Sequence, residues 1–231
     1  MKYFTLFLLA IISVAFTACS DSDDSPAELN ITETGTFTDP RDNTIYHWVR
    51  VGSTDWACEN LAYDLDSANV CTIYLNADDA SYYRANDYYL AKYGRLYTYP
   101  GALEAIPDGW RLPTDADWKN LETAAGSNTK NLDEYGWRGK GAELLMSTNK
   151  YSSRLALLLG GYYTNHINMY SPNYTGMGSY GFYWTSTADT TKGNNTYRFY
   201  RKLAYNRNDI YRESTEAERY FFSVRFVRDA K

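Results

Sequence analysis

The groups able to do chemistry in this chain are few: His47 and His166, Cys19, Cys58 and Cys71, and the closely spaced Asp115 and Asp117. The two histidines lie in unrelated segments, with no second imidazole, thiolate or carboxylate at metal-ligand spacing around them. His47 reads as a strand residue and His166 as a solvated loop residue, so no metal and no cofactor is expected. Asp115 and Asp117 resemble a carboxylate pair, but they follow Thr114 at the start of an apolar-striped segment, where the helix dipole favours anions. Neither a Gly-x-Ser-x-Gly elbow nor a phosphate-cradling glycine loop is present. These residues predict a protein that is not an enzyme.

Binding chemistry is better represented. Tyrosine is the compositional outlier, with 24 copies beside six Trp and nine Phe in 231 residues. Tyr162-Tyr163-Thr164-Asn165-His166-Ile167-Asn168-Met169-Tyr170-Ser171-Pro172-Asn173-Tyr174 is dense in Tyr, Asn and Ser. That is the composition of adaptable recognition loops, in which tyrosine supplies area and the polar residues supply hydrogen bonds. Tyr162, Tyr163, Asn165, Asn168, Tyr170, Asn173 and Tyr174 are therefore candidate ligand-binding residues. Tyr82 and Tyr83, close to Tyr88 and Tyr89, form a second candidate cluster. Local packing of these rings against long loops is the competing reading. The net charge of −5 and the lack of a basic run give no support to nucleic-acid binding.

The N-terminus predicts an address. Met1-Lys2 is followed by an apolar run, Leu6 to Ala18, of signal-peptide length and too short for a spanning helix. Phe16-Thr17-Ala18-Cys19 places a cysteine just after a small-residue cleavage site and resembles a bacterial lipoprotein signal. Residues 1–18 would be removed and Cys19 would carry acyl chains, each methylene adding ~0.8 kcal/mol of membrane affinity. Ser20-Asp21-Ser22-Asp23-Asp24 resembles the acidic signal that sends Bacteroidota lipoproteins to the outer face of the outer membrane. Residues 19–34 read as a lipidated acidic linker and 35–231 as one domain. Outside the cytoplasm, Cys58 and Cys71, with residues 59–70 between them, predict a disulfide worth ~3 kcal/mol.

The elements that must position these groups are mostly strands. Thr36 to Asn43 reads as a strand entering a turn, and Ile45–Val51 as a β-branched and aromatic strand. Residues 82–93 suit a loop or a weak helix. Pro100 to Ile106 suits a short helix with proline in its first turn. Thr114 caps a helix with Trp118, Leu121, Ala124 and Ala125 on one face, ending near Gly126. A short helix is expected near Ala142–Met146. Leu155–Leu159, Gly181–Thr187, Thr196–Leu203 and Phe221–Val227 read as strands. Few helices among many short strands predict an α+β fold with mainly antiparallel sheet.

Several ordered motifs carry a resemblance. Gly35-Thr36-Phe37-Thr38-Asp39-Pro40-Arg41-Asp42, Trp56, Glu59-Asn60-Leu61-Ala62-Tyr63, and Tyr93-Gly94-Arg95-Leu96-Tyr97-Thr98 come first. Gly109-Trp110-Arg111-Leu112-Pro113-Thr114-Asp115-Ala116-Asp117-Trp118 follows, then Gly160-Gly161-Tyr162, Tyr183-Trp184-Thr185-Ser186-Thr187 and Phe222-Ser223-Val224-Arg225-Phe226-Val227-Arg228-Asp229. Together they resemble the Fibrobacter succinogenes major paralogous domain over residues 35–229. The Arg-Leu-Pro-Thr and Ser-Val-Arg-Phe-Val-Arg segments are also similar to formylglycine-generating enzymes, which implies a C-type-lectin-like fold of short twisted sheets, two or three helices and long loops. Those enzymes need a late cysteine pair, and no cysteine follows Cys71. The calcium site of C-type lectins is also poorly matched, because Ser171-Pro172-Asn173 and Trp184-Thr185-Ser186 lack its carboxylates. The anchor, the fold resemblance and the Tyr/Asn-rich loops together predict a surface-exposed lipoprotein acting as a non-catalytic binding or adhesion module for a glycan or protein. The alternative is an accessory lipoprotein subunit of an outer-membrane transport or assembly complex.

Overall fold

The structure, a computed structural model, describes residues 29–73, 82–146, 155–165, 174–193 and 196–231. Cys19, its acidic neighbours, His166, Asn168, Tyr170 and Asn173 lie outside the described residues, as do the side chains of Tyr82 and Tyr83. The fold is mostly β-sheet with few helices, compatible with the α+β expectation. In chain order the strands are β1 (Ile31–Thr38), β2 (Ile45–Val51), β3 (Thr54–Ala57), β4 (Cys71–Thr72), β5 (Leu96–Tyr97), β6 (Gly136–Arg138), β7 (Gly160–Thr164), β8 (Tyr174–Met177), β9 (Tyr180–Ala188), β10 (Tyr197–Ala204), β11 (Ile210–Glu216), β12 (Tyr220–Ser223) and β13 (Val227–Asp229). The helices are α1 (Tyr82–Tyr93), α2 (Tyr99–Ala105), α3 (Asp115–Ala124) and the single turn α4 (Ala142–Leu145).

The strands form two sheets. One has the order β1-β2-β3-β13 and is antiparallel throughout. The other runs β4-β5-β12-β7-β9-β10-β11-β6, with β8 paired to β7, and is antiparallel apart from short parallel pairings of β9 with β7 and β12. Alternation along β9 separates its two faces. Tyr183 packs with Trp118 of α3 in one core cluster, whereas Phe182 and Trp184 join a second, aromatic cluster with Phe222.

Helix α3 forms for the reasons its sequence states. The Thr114 hydroxyl accepts from the Asp117 N–H, and the Asp117 carboxylate accepts from the Thr114 N–H, completing a capping box. Asp117 also binds Arg111 at 2.6 Å, which ties the helix start to the strand-like approach before it. Asp115 faces Arg201, Arg212 and Lys119. Burial works to raise the Asp115 carboxyl, but the hydrogen bonds from Arg212 and the Arg201 charge outweigh it and hold it well below the usual carboxylate range. Its contribution is complete above the unfolded aspartate value of about 4 and is lost as pH falls further. The melting temperature is expected to be level from pH 7 to about 5 and to drop below about pH 4, with a shallower drop in Asp115→Asn; equal acid limbs in the two proteins would refute this assignment.

Four expectations are corrected. Residues 31–34 belong to the sheet rather than to a linker: Ile31 pairs with Val51, Thr34 pairs with Val49, and Leu29 is buried in the first core. The Cys58–Cys71 disulfide is not formed. The chain carries Cys58 past the end of β3 to the first core cluster and Cys71 onto β4 in the second, where burial pushes its thiol up. Leu155–Leu159 is not a ladder strand. Leu155, Leu157 and Leu159 are buried as alternation demands, but Ala156 takes a left-handed φ of 44° and only Leu157 makes a bridge, to Met146. Phe221–Val227 is two strands, β12 and β13, because the chain leaves the large sheet after Ser223 and joins the small one at Val227. The ambiguous 82–93 segment is helix α1, closed by Gly94 at φ 68°, where a Cβ would lie 2.7 Å from the Leu61 carbonyl oxygen.

Candidate functional site

The second face of the large sheet carries a continuous row of aromatic rings. Trp137 of β6 lies 5.2 Å from Tyr211 of β11, and Tyr211 lies 6.3 Å from Tyr200 of β10. Tyr200 approaches Phe222 of β12 at 5.1 Å, and Phe222 stacks on Phe182 at 5.1 Å and on Tyr220 at 5.7 Å. Tyr162 of β7 closes the row, 5.0 Å from Phe182 and 5.8 Å from Tyr220. Strand register explains the assembly: Lys202 faces Phe182 and Tyr211, Tyr200 faces Trp184, and Tyr211 faces Trp137, so alternate residues of four strands point the same way.

Part of this face is covered. Tyr99 of α2 packs edge-on against Trp184, whose indole N–H donates to the Tyr97 carbonyl at 2.7 Å. Beyond Phe222 the row opens as a groove of about 390 Å3 with Tyr162, Tyr180, Tyr200, Lys202 and Tyr220 along it. Thr175 and Thr215 add hydroxyls to its walls, and Tyr180 is 38% exposed. Burial raises the Tyr200 phenol, so it remains protonated and able to donate at neutral pH. Apolar ring faces with a few polar groups at their margin are the usual make-up of a ligand site.

The expected residues divide. Tyr162 lines the groove. Tyr163 does not: its ring packs tilted against Tyr174 at 4.6 Å and edge-on against the buried Phe221 at 4.9 Å, while the Tyr174 hydroxyl lies 2.8 Å from the Thr72 hydroxyl. These two tyrosines join β7 and β8 to the rest of the sheet. Asn165 sits in a separate cleft of about 690 Å3 with Tyr99, Arg198 and Glu218. Sequence reasoning missed Trp137, Tyr180, Phe182, Tyr200, Lys202, Tyr211, Tyr220 and Phe222. The signal was present as every second residue: Tyr180-x-Phe182-x-Trp184 and Tyr200-x-Lys202.

A third cleft of about 580 Å3 lies between β2, the 59–64 loop and the end of α1. Its three carboxylates are already engaged: Glu59 with His47 at 2.8 Å, Asp64 with Arg95, and Asp42 accepting from the Thr44 N–H at 2.9 Å. Among the described residues no three His, Cys, Asp or Glu side chains gather as a metal would need. Among them, too, no helix is long and apolar enough to cross a membrane.

The family model of the Fibrobacter succinogenes major domain matches residues 49–228. The chain belongs to that family. The match takes in the large sheet, α3, every residue of the aromatic groove and the part of the small sheet that follows residue 48; β1 lies outside it. No curated protein and no solved structure was found to match the chain.

Proposed function

We propose that this chain is a lipoprotein, anchored through Cys19 on the outer face of the outer membrane, whose domain is a non-catalytic binding module with a C-type-lectin-like fold. The ligand it suits best is a glycan. One observation carries this reading: rings from five strands, β6, β7, β10, β11 and β12, make one continuous row, and its half-exposed Tyr162, Tyr200 and Tyr220 open into the groove. The electron-rich face of an aromatic ring attracts C–H groups, and a pyranose presents a C–H face with hydroxyls around its rim. The threonine and tyrosine hydroxyls beside the groove match that rim. Most of the groove floor lies on strands paired on both sides, so their backbone is unavailable for adding a peptide strand.

The test is binding of the full-length chain to an array of host and dietary glycans, followed by calorimetry on hits. Tyr200→Ala and Tyr220→Ala, both at residues lining the groove, are each expected to weaken binding at least about tenfold, ~1.4 kcal/mol, while Tyr163→Ala changes it little. Melting curves identify any variant that is simply unfolded. Binding that survives both groove substitutions in folded protein would refute the groove as the site. Recovery of the chain only in a stoichiometric complex with an integral membrane protein, with no glycan bound, would favour the accessory-subunit reading.

A further inference from the structure

Among the described residues, Lys202 is the one cation lining the groove, and its surroundings are unusual for a lysine. Its ammonium lies 4.4 Å from the centre of the Tyr211 ring, 5.0 Å from Trp137, 5.3 Å from Tyr180 and 5.8 Å from Phe182. The ring faces partly offset its loss of hydration. They offer no lone pair to its three N–H groups, however, and among the described residues no carboxylate pairs with it. The nearby acids are committed elsewhere: Glu213 to Lys192 at 3.2 Å and Asp209 to Arg207 at 2.7 Å. Arg207 itself lies over Trp137 at 4.4 Å, so the neighbouring charge is also positive. Burial and that charge both act to lower the Lys202 ammonium, which is what an unmatched cation experiences.

A half-buried lysine with donors unfilled, set in a ring-lined groove, has a defined complement. It is an anionic group carried by a molecule whose body stacks on the rings. Resting on the glycan reading above, we infer that the groove selects acidic saccharides, their carboxylate or sulfate pairing with Lys202 while the sugar ring lies on Tyr200 and Tyr220. Neutral sugars would leave the ammonium dehydrated and unpaired, a penalty that creates the selectivity.

The experiment titrates the full-length chain with matched saccharide pairs: oligogalacturonate and its methyl ester, sulfated and desulfated glycosaminoglycan fragments, and sialylated and asialo oligosaccharides. In at least one pair the acidic member is expected to bind tenfold or more tightly than its neutral counterpart, with affinity falling as salt rises. Lys202→Gln should abolish that preference and Lys202→Arg should keep it. The inference is overturned if neutral members bind as tightly as acidic ones, or if folded Lys202→Gln retains the preference. In those cases sensitivity to Tyr220→Ala still leaves the groove a glycan site. Tighter binding of an oligoglutamate peptide than of any acidic sugar overturns the saccharide assignment. No binding by any member overturns both readings.

Discussion

Replacing Arg225 with methionine is expected to unfold most of the protein at 37 °C, and Arg225→Lys to cost about 4 kcal/mol or more. Arg225 is fully buried, in the connection between β12 and β13. No carboxylate among the described residues pairs with it. Its guanidinium instead donates to backbone and amide oxygens: Asn60 Oδ1 at 2.7 Å, the Ala57 carbonyl at 2.9 Å, the Cys58 carbonyl, the Leu155 carbonyl at 2.7 Å and the Ala156 carbonyl at 2.6 Å. One side chain thereby joins the end of β3, the loop after it and the left-handed turn at Ala156. Asn60 extends the joint by donating to the Tyr93 carbonyl at 2.8 Å, at the end of α1. Methionine would leave these acceptors buried without donors, each costing about 1–3 kcal/mol. Lysine keeps the charge but has three donors on a point-like head instead of five in a planar fork, so it cannot span the same oxygens. Urea unfolding with a constant slope measures the loss. A change below about 1 kcal/mol in Arg225→Lys would show that the joint holds without the fork.

Arg225 also explains where the sequence misleads. Phe221 to Val227 alternates as a strand should, and a charged residue at an inward position looks like a residue of an exposed face. The chain breaks its ladder there so that Arg225 can reach acceptors from three segments, Ala57–Cys58, Asn60 and Leu155–Ala156. Those acceptors are backbone carbonyls and one side-chain amide, and the carbonyls have no signature in residue type. The Leu155–Leu159 segment misleads for the same reason, since its alternation is correct but its carbonyls serve Arg225 and its Leu158 N–H serves the Tyr183 hydroxyl at 2.6 Å. Elements set by local chemistry were legible: the Thr114 capping box, the proline-started α2, and β2, β9 and β10 to within a few residues. The disulfide was a compartment argument, and compartment says nothing about which core cluster each thiol enters.

The candidate site was legible in kind but not in place. Tyrosine excess suits an aromatic core and a binding surface alike, and the densest tyrosine run drew attention to 162–174. Density along the chain is a poor guide in a sheet protein. Rings two apart on one strand share a face, and rings on neighbouring strands in register complete it, so the aromatic row collects Trp137, Tyr200, Tyr211 and Phe222 from four separate segments. Tyr162 and Tyr163 are adjacent in sequence and therefore face opposite ways, one to the groove and one to Phe221.

Glu122→Gln is expected to lose about 3–5 kcal/mol, although it changes neither size nor shape appreciably. Glu122 is fully buried on α3 and binds Arg201 of β10 at 2.6 Å and Arg138 of β6 at 2.9 Å. Asp115, one helix end away, binds Arg201 at 2.8 Å and Arg212 of β11 at 2.9 Å. Two carboxylates therefore balance three guanidiniums in the layer between α3 and the first face of the large sheet. Cations already exceed anions there, and burial lowers the Arg138 guanidinium to about 10. Removing the Glu122 charge leaves Arg138 with the Ile210 carbonyl, 2.8 Å away, as its one strong acceptor. The cost should then fall on an uncompensated cation rather than on a lost contact, and a second substitution can separate the two. Glu122→Gln with Arg138→Met removes the stranded charge together with its partner, and is expected to recover a substantial part of the loss. A double variant as unstable as the sum of its single variants would mean that Glu122 and Arg138 act independently, and that α3 is held to the sheet by its Trp118 and Leu121 packing alone. Because the same strands present Tyr200 and Tyr211 on their other face, the charge-starved single variant should also loosen the groove, and the double variant should restore ligand affinity in step with stability.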